Sequence, residues 1–135
     1  MRIVIDTNVV ISGVFFGGLP RKIIEAAVYH RLEACATAEI SEEYRRIVEE
    51  MIRRKQGKLR QDVFSVFIES LRFVEAVSKV EVCRDPDDDK FFGCAKDAGA
   101  LYIVSGDKDL LNVGNFEGIT VMTAAEFCGR YLRDI

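Results

Sequence analysis

The sequence predicts an α/β protein: a three-layer α/β/α sandwich around a mostly parallel sheet of roughly five strands. Three observations predict it. Short apolar runs at residues 3–5, Glu33–Ala36, residues 101–104 and Ile119–Met122 alternate with stretches whose apolar residues recur at helical spacing, the pattern of strand–helix–strand units. The first run is apolar at consecutive positions, as a strand buried on both faces must be. Four acids, Asp6, Glu43, Asp88 and Asp107, fall just past an apolar run or in the first turns of the helix that follows. In an open parallel sheet that position is the ligand-binding edge.

Residues 3–5 form the first strand, followed by a turn-like Thr7-Asn8, a short apolar stretch at residues 9–16 and a break at Gly17-Gly18. Pro20 suits the first turn of a helix, and Ile23, Ile24, Ala27, Val28 and Leu32 keep helical spacing up to the strand Glu33–Ala36. Thr37 can cap the next helix, whose stripe is Ile40, Tyr44, Ile47, Val48, Met51 and Ile52, with Gly57 as its stop. Val63, Phe64, Phe67, Ile68, Leu71 and Val74 predict a further amphipathic helix, antiparallel to the previous one, and residues 76–83 are expected to contain the third strand. Asp85-Pro86 starts a helix that carries Phe91, Phe92, Ala95 and Ala98 and stops at Gly99. The strand at residues 101–104, a short turn or helix at residues 107–111, the strand Ile119–Met122 and a capping box at Thr123 and Glu126 complete the alternation.

A chain of 135 residues holds one domain with a proper core and is too short for two ordinary ones. With 49% apolar and 30% charged residues it is not a disordered sequence. No apolar stretch approaches the roughly 20 residues that span a bilayer, and the apolar run at residues 3–5 is too short for a leader and is interrupted by Asp6, so no export leader is expected. A cytoplasmic, membrane-free protein is the expectation. Cys35, Cys83, Cys94 and Cys128 are widely spaced without a CxxC pair and read as free thiols in a reducing compartment. With His30 as the lone histidine, placed at a helix end, structural zinc is disfavoured. The formal net charge of −3 counts against binding a phosphate backbone, yet a cluster of metal-binding acids would itself bias that sum downward.

Carboxylates gathered at one sheet edge repel one another unless a positive charge sits between them, and the usual answer is a divalent cation. Asp6 ends the central strand. Its alternative role is a helix cap, and Asn8 adds a neutral oxygen donor that could orient Asp6 or hold a water. Glu43 borders the apolar stripe between Ile40 and Ile47, whereas Glu39 and Glu42 turn toward solvent as ordinary acids near a helix N-terminus. In the run Arg84-Asp85-Pro86-Asp87-Asp88-Asp89-Lys90 an EF-hand fails, because lysine stands where its glycine and its glutamate belong. With Asp85 as the cap, helical phase puts Asp88 on the side of Phe91, Phe92 and Ala95, leaves Asp87 on the adjacent edge and turns Asp89 into solvent. Ser105-Gly106-Asp107-Lys108-Asp109 is a polar turn by itself, but Asp107 and Asp6 end two strands on one edge of one sheet.

Asp6-Thr7-Asn8, Ser41-Glu42-Glu43-Tyr44-Arg45-Arg46, Arg84-Asp85-Pro86-Asp87-Asp88 and Ser105-Gly106-Asp107-Lys108-Asp109-Leu110-Leu111 together resemble PIN-domain proteins, most closely the small single-domain toxin branch (VapC-type). The resemblance covers essentially the whole chain. It implies a metal-dependent endoribonuclease in which Asp6, Glu43, Asp88 and Asp107 hold one or two Mg²⁺ or Mn²⁺ ions, with Asp109 as a further ligand or orienter and Asn8 and Ser105 in support. Many relatives carry Thr where this chain has Ser105, which retains the hydroxyl. The resemblance also implies an RNA substrate, a cognate antitoxin protein over the acidic cleft and a homodimer.

Phosphodiester hydrolysis needs an activated water, neutralised phosphoryl oxygens and a stabilised leaving oxygen, all of which acid-bound divalent metals supply. RNA contacts are expected from Arg45, Arg46, Arg53, Arg54 and Lys55, with Lys58 and Arg60 beyond them, although ion pairs to Glu49 and Glu50 on a solvated face explain the same residues. Two other readings use the same acids. A haloacid-dehalogenase-type phosphotransferase wants a second Asp two residues after the first, where this chain has Asn8. A non-catalytic RNA-binding module gains nothing from negative charge concentrated beside RNA.

Overall fold

The computed structural model describes residues 1–55 and 61–133. In chain order its elements are β1 (Arg2–Ile5), α1 (Thr7–Phe15), α2 (Gly18–Val28), β2 (Glu33–Ala36), α3 (Ala38–Lys55), α4 (Gln61–Ser70) and β3 (Arg72–Phe73). There follow a 3-10 turn (Pro86–Asp88), α5 (Asp89–Ala98), β4 (Tyr102–Val104), α6 (Lys108–Val113), β5 (Asn115–Phe116), β6 (Ile119–Met122) and α7 (Ala124–Tyr131). The expected Gly57 stop, Lys58 and Arg60 lie outside the described residues.

Six strands form one sheet in the order β3-β2-β1-β4-β6-β5. All neighbours are parallel except the β5–β6 pair, a short antiparallel edge. That edge is the sixth strand beyond the roughly five expected; two residues are too few to show an alternation pattern in sequence. Successive strands step outward from β1 through β2 to β3, then the chain returns to place β4 on the other side of β1. The reversal leaves a crevice beyond the carboxyl ends of β1 and β4, where Ile5 is paired with Val104. Such a switch point is where open α/β sheets place their ligands.

Burial explains the pairing. Ile3, Val4, Ile5, Ile103 and Val104 are shut off from solvent, as the consecutive apolar residues of an interior strand require. Helix α5 lies across β1, β2, β4 and β6 with Phe91, Phe92, Cys94 and Ala95 buried, while α1, α2, α4 and α7 pack on one another. Helix α3 is pinned to the end of β1 by the Tyr44 hydroxyl, which donates to the Ile5 carbonyl.

The third strand is not where the apolar alternation at residues 76–83 placed it. Arg72–Phe73 pair with β2 instead, and Leu71 and Val74 lie beyond the end of α4 at Ser70. The reason is a competition for backbone donors. Asp97 accepts from the amides of Val77 (2.8 Å) and Ser78 (3.0 Å) and from the Ser78 hydroxyl (2.5 Å). Asp89 accepts from the amides of Val82 (3.0 Å) and Cys83 (2.7 Å). Two carboxylates of α5 thus hold this segment, with Val80 and Val82 against the core, in place of a strand partner. Asp89 is therefore a structural anchor, not the solvated acid that helical phase suggested.

Candidate metal centre

Asp6 follows β1, and its amide donates to the Val104 carbonyl at 2.9 Å, which extends the β1–β4 pairing by one residue. It stands at the N-cap of α1 without a capping side-chain bond. Its Oδ2 instead accepts from Ser105 Oγ at 2.7 Å, and Ser105 Oγ in turn accepts from the Asp107 amide at 2.9 Å. Ser105 is fully buried and Asp6 is 6% exposed. One hydroxyl therefore sets the Asp6 carboxylate and the turn that carries Asp107.

Asp107 caps α6: its Oδ1 accepts from the Asp109 amide at 2.7 Å. The side-chain cap expected as the alternative role of Asp6 is thus made by Asp107 instead. Across the crevice Asp85 caps the 3-10 turn by accepting from the Asp87 amide at 3.0 Å, with Pro86 opening that turn. Asp88 occupies the N-cap of α5 yet makes no capping bond. Its carboxylate joins those of Asp107 and Asp109, one oxygen of each lying within 4.8 Å of the others.

Electrostatics mark these groups as crowded. Burial pushes the Asp88 carboxyl up to about 6, and the charges of Asp107, Asp85, Asp6 and Asp87 add to the effect. Burial also raises Asp6; the Ser105 hydrogen bond opposes this, and Asp107 and Glu43 reinforce it. Nearby Cys83 rises to about 12 through burial, its hydrogen bond to Asp89 and the surrounding acids, so it is a neutral thiol and no nucleophile at physiological pH.

Glu43 faces the same crevice from α3 but does not join the trio. Its Oε1 accepts from Lys90 Nζ at 2.7 Å and its Oε2 from the Thr7 hydroxyl. Lys90 also pairs with Asp87 at 3.0 Å. Burial pulls the Lys90 ammonium down, but the two carboxylates outweigh it and hold its pKa above the ordinary value. Asn8 is exposed and makes no hydrogen bond to Asp6, so the orienting role expected of it belongs to Ser105.

Sequence comparison accords with this geometry. A family model described as PIN domain matches residues 2–109. This chain belongs to the PIN domain family. It is also 28% identical over 117 residues to an uncharacterized protein of Methanocaldococcus jannaschii (MJ1680), a match that covers 84% of this chain and 75% of the relative. No solved structure matches it.

PIN domains are generally nucleases, and the donor set suits the divalent metals they typically use. Asp88, Asp107 and Asp109 offer only carboxylate oxygens, the hard donors that Mg²⁺ and Mn²⁺ prefer over soft, thiolate-seeking ions. Asp6 stands beside them, tied to Asp107 through Ser105.

Among the arginines of α3, Arg46 lines the groove that holds Glu43, Asp87 and Lys90, whereas Arg45 lines a separate groove with Phe64 and Ile68 of α4. Arg53 is exposed, and Arg54 is paired with Glu50 at 2.9 Å, as the solvated-face alternative expects. The side chain of Lys55 lies outside the described residues. Sequence reasoning missed Lys90 and Thr7. The signal for Lys90 was available: a lysine closing a run of acids at a helix start, two residues from Asp88.

Glu39 and Glu42 are exposed, as expected, and His30 is an exposed residue just past the end of α2. All four cysteines are free. No helix among the described residues is long and apolar enough to cross a membrane.

Proposed function

We propose that this PIN domain is a metal-dependent endoribonuclease that hydrolyses RNA phosphodiester bonds. The observation that carries the reading is the convergence of Asp88, Asp107 and Asp109 within 4.8 Å, beside Asp6 at the sheet's switch point. Asp88, Asp107 and Asp109 would hold Mg²⁺ or Mn²⁺. When bound, such an ion neutralises phosphoryl oxygens and lowers the pKa of water at the scissile bond.

The protein's own groups prepare that position. Ser105 fixes the Asp6 carboxylate through its hydroxyl. The N-termini of α1, α5 and α6 follow Asp6, Asp88 and Asp107 directly, so their dipoles favour negative charge in the crevice. Arg46 brings a positive side chain to the groove next to it, where a phosphate flanking the scissile one can be met. RNA as the substrate, a cognate antitoxin peptide over the acidic cleft and a homodimer are the parts of this proposal supported by the resemblance to toxin-branch PIN proteins.

The deciding experiment incubates RNA with wild type, Asp6→Asn and Asp107→Asn in Mg²⁺, in Mn²⁺ and in excess chelator. Wild type cleaves only with metal, and each variant loses on the order of 100-fold in rate. A phosphorylated Asp6 would point to phosphotransfer. RNA bound but never cut would leave a binding module on the same fold.

A further inference from the structure

The acids of this crevice fall into two groups. On one side Asp88, Asp107 and Asp109 converge, one oxygen of each lying within 4.8 Å of the others. On the other, Glu43 has both oxygens engaged, one by Lys90 and one by Thr7. The ammonium of Lys90 is enclosed: its side chain is 9% exposed and that of Glu43 is 17% exposed. Local geometry produces the division. Asp88 and Lys90 are two residues apart at one helix start, so their side chains leave on nearly opposite sides, about 200° apart at 3.6 residues per turn. Asp88 turns to Asp107, and Lys90 turns to Glu43 and Asp87.

We infer that Lys90 is a built-in cation at the Glu43 side of the crevice, and that this site consequently takes a single divalent ion, held by Asp88, Asp107 and Asp109. The inference rests on the metal-dependent reading proposed above and fixes its stoichiometry. A second ion at Glu43 would have to expel an ammonium already in contact with two carboxylates, and would leave that ammonium in a confined space without a partner. Mg²⁺ dehydrates reluctantly and gains little from a carboxylate whose oxygens are already bonded. The covalently attached charge needs no metal concentration to remain in place. Lys90 therefore acts as a positioning residue: it holds Glu43 against Thr7 and keeps positive charge facing the groove that Arg46 shares.

The test counts Mn²⁺ on the purified full chain, by calorimetric titration and by the electron paramagnetic resonance signal of unbound Mn²⁺. Wild type binds one ion. Lys90→Met, which removes the charge and keeps the bulk, binds two, and Lys90→Arg, which restores a cation, returns to one. Circular dichroism checks that the variants are folded. Two ions on wild type would overturn the inference, as would a folded Lys90→Met protein that still binds one. If Lys90→Met does not fold, the wild-type count decides alone. Failure of the underlying reading looks different: a chain that binds no Mn²⁺ loses metal dependence and this inference together. Two ions with Mn²⁺-dependent cleavage intact would remove only the role of Lys90.

Discussion

Ser105 shows how much of the site depends on one small side chain. It is completely buried, and its hydroxyl is spent twice, as donor to Asp6 and as acceptor from the Asp107 amide. Removing the hydroxyl leaves a buried carboxylate without its donor and a backbone amide without its acceptor, and an unmatched buried group costs about 1–3 kcal/mol. Ser105→Ala should therefore lower unfolding stability in urea by about that amount, and should weaken Mn²⁺ binding by roughly 10-fold or more because Asp6 and Asp107 lose their common reference. A variant as stable as wild type with unchanged metal affinity would show that the hydroxyl positions nothing.

The elements bring these residues together through a few close approaches. Helices α1 and α2 cross at Gly13, where an added Cβ would lie 2.5 Å from Ile24 Cδ1 and 3.0 Å from the backbone of Pro20. The crossing is tied by Arg21, which donates to the carbonyls of Gly13 and Val14 near the end of α1. Alanine in a helix interior normally gains about 1 kcal/mol over glycine, but overpacking a tight contact costs about 1–3 kcal/mol. The second effect should win at this crossing: Gly13→Ala is expected to lower the urea midpoint while leaving Mn²⁺ affinity within about twofold of wild type. A stabilised variant would show that the two helices separate easily. On the other face, Asp89 and Asp97 of α5 hold the segment leading to Asp85, so the same helix supports the acidic run and carries its last members.

At the scale of the whole molecule, the crevice sets a conflict between folding and function. Asp6 and Asp88 have carboxyl pKa values raised in the folded protein above their ordinary 3.8, Asp88 to about 6. Below the ordinary value both are protonated whether or not the chain is folded, and they cost nothing. As pH rises from about 4 to about 6 the unfolded chain releases its protons first, so the metal-free fold loses stability across that window and stays weakened above it. A divalent ion reverses the effect by favouring the charged carboxylates. Thermal melts should accordingly show a larger Mg²⁺-induced rise in Tm at about pH 7.5 than at about pH 5. Equal shifts at both pH values would mean that the ion does not bind at these acids.

Sequence alone determined the alternating architecture, the buried central strand, the capping box at Thr123 and the membership of Asp6, Asp88 and Asp107 in one edge, because apolar spacing and strand ends are properties of local sequence. It misplaced the third strand, since residues 76–83 alternate like a strand while their amides are claimed by Asp89 and Asp97 from a helix later in the chain. It overlooked the antiparallel edge strand, too short to carry a pattern. Only the tertiary structure decided how the acids are shared out. Glu43 and Lys90 are 47 residues apart, and Asp6 and Ser105 are 99 apart; no local rule relates them. Which carboxylate meets an ammonium, which a hydroxyl and which another carboxylate is fixed by how α3, α5 and the ends of β1 and β4 pack. Charge pairing across the crevice follows distance in space, and the chain sets that distance only by folding.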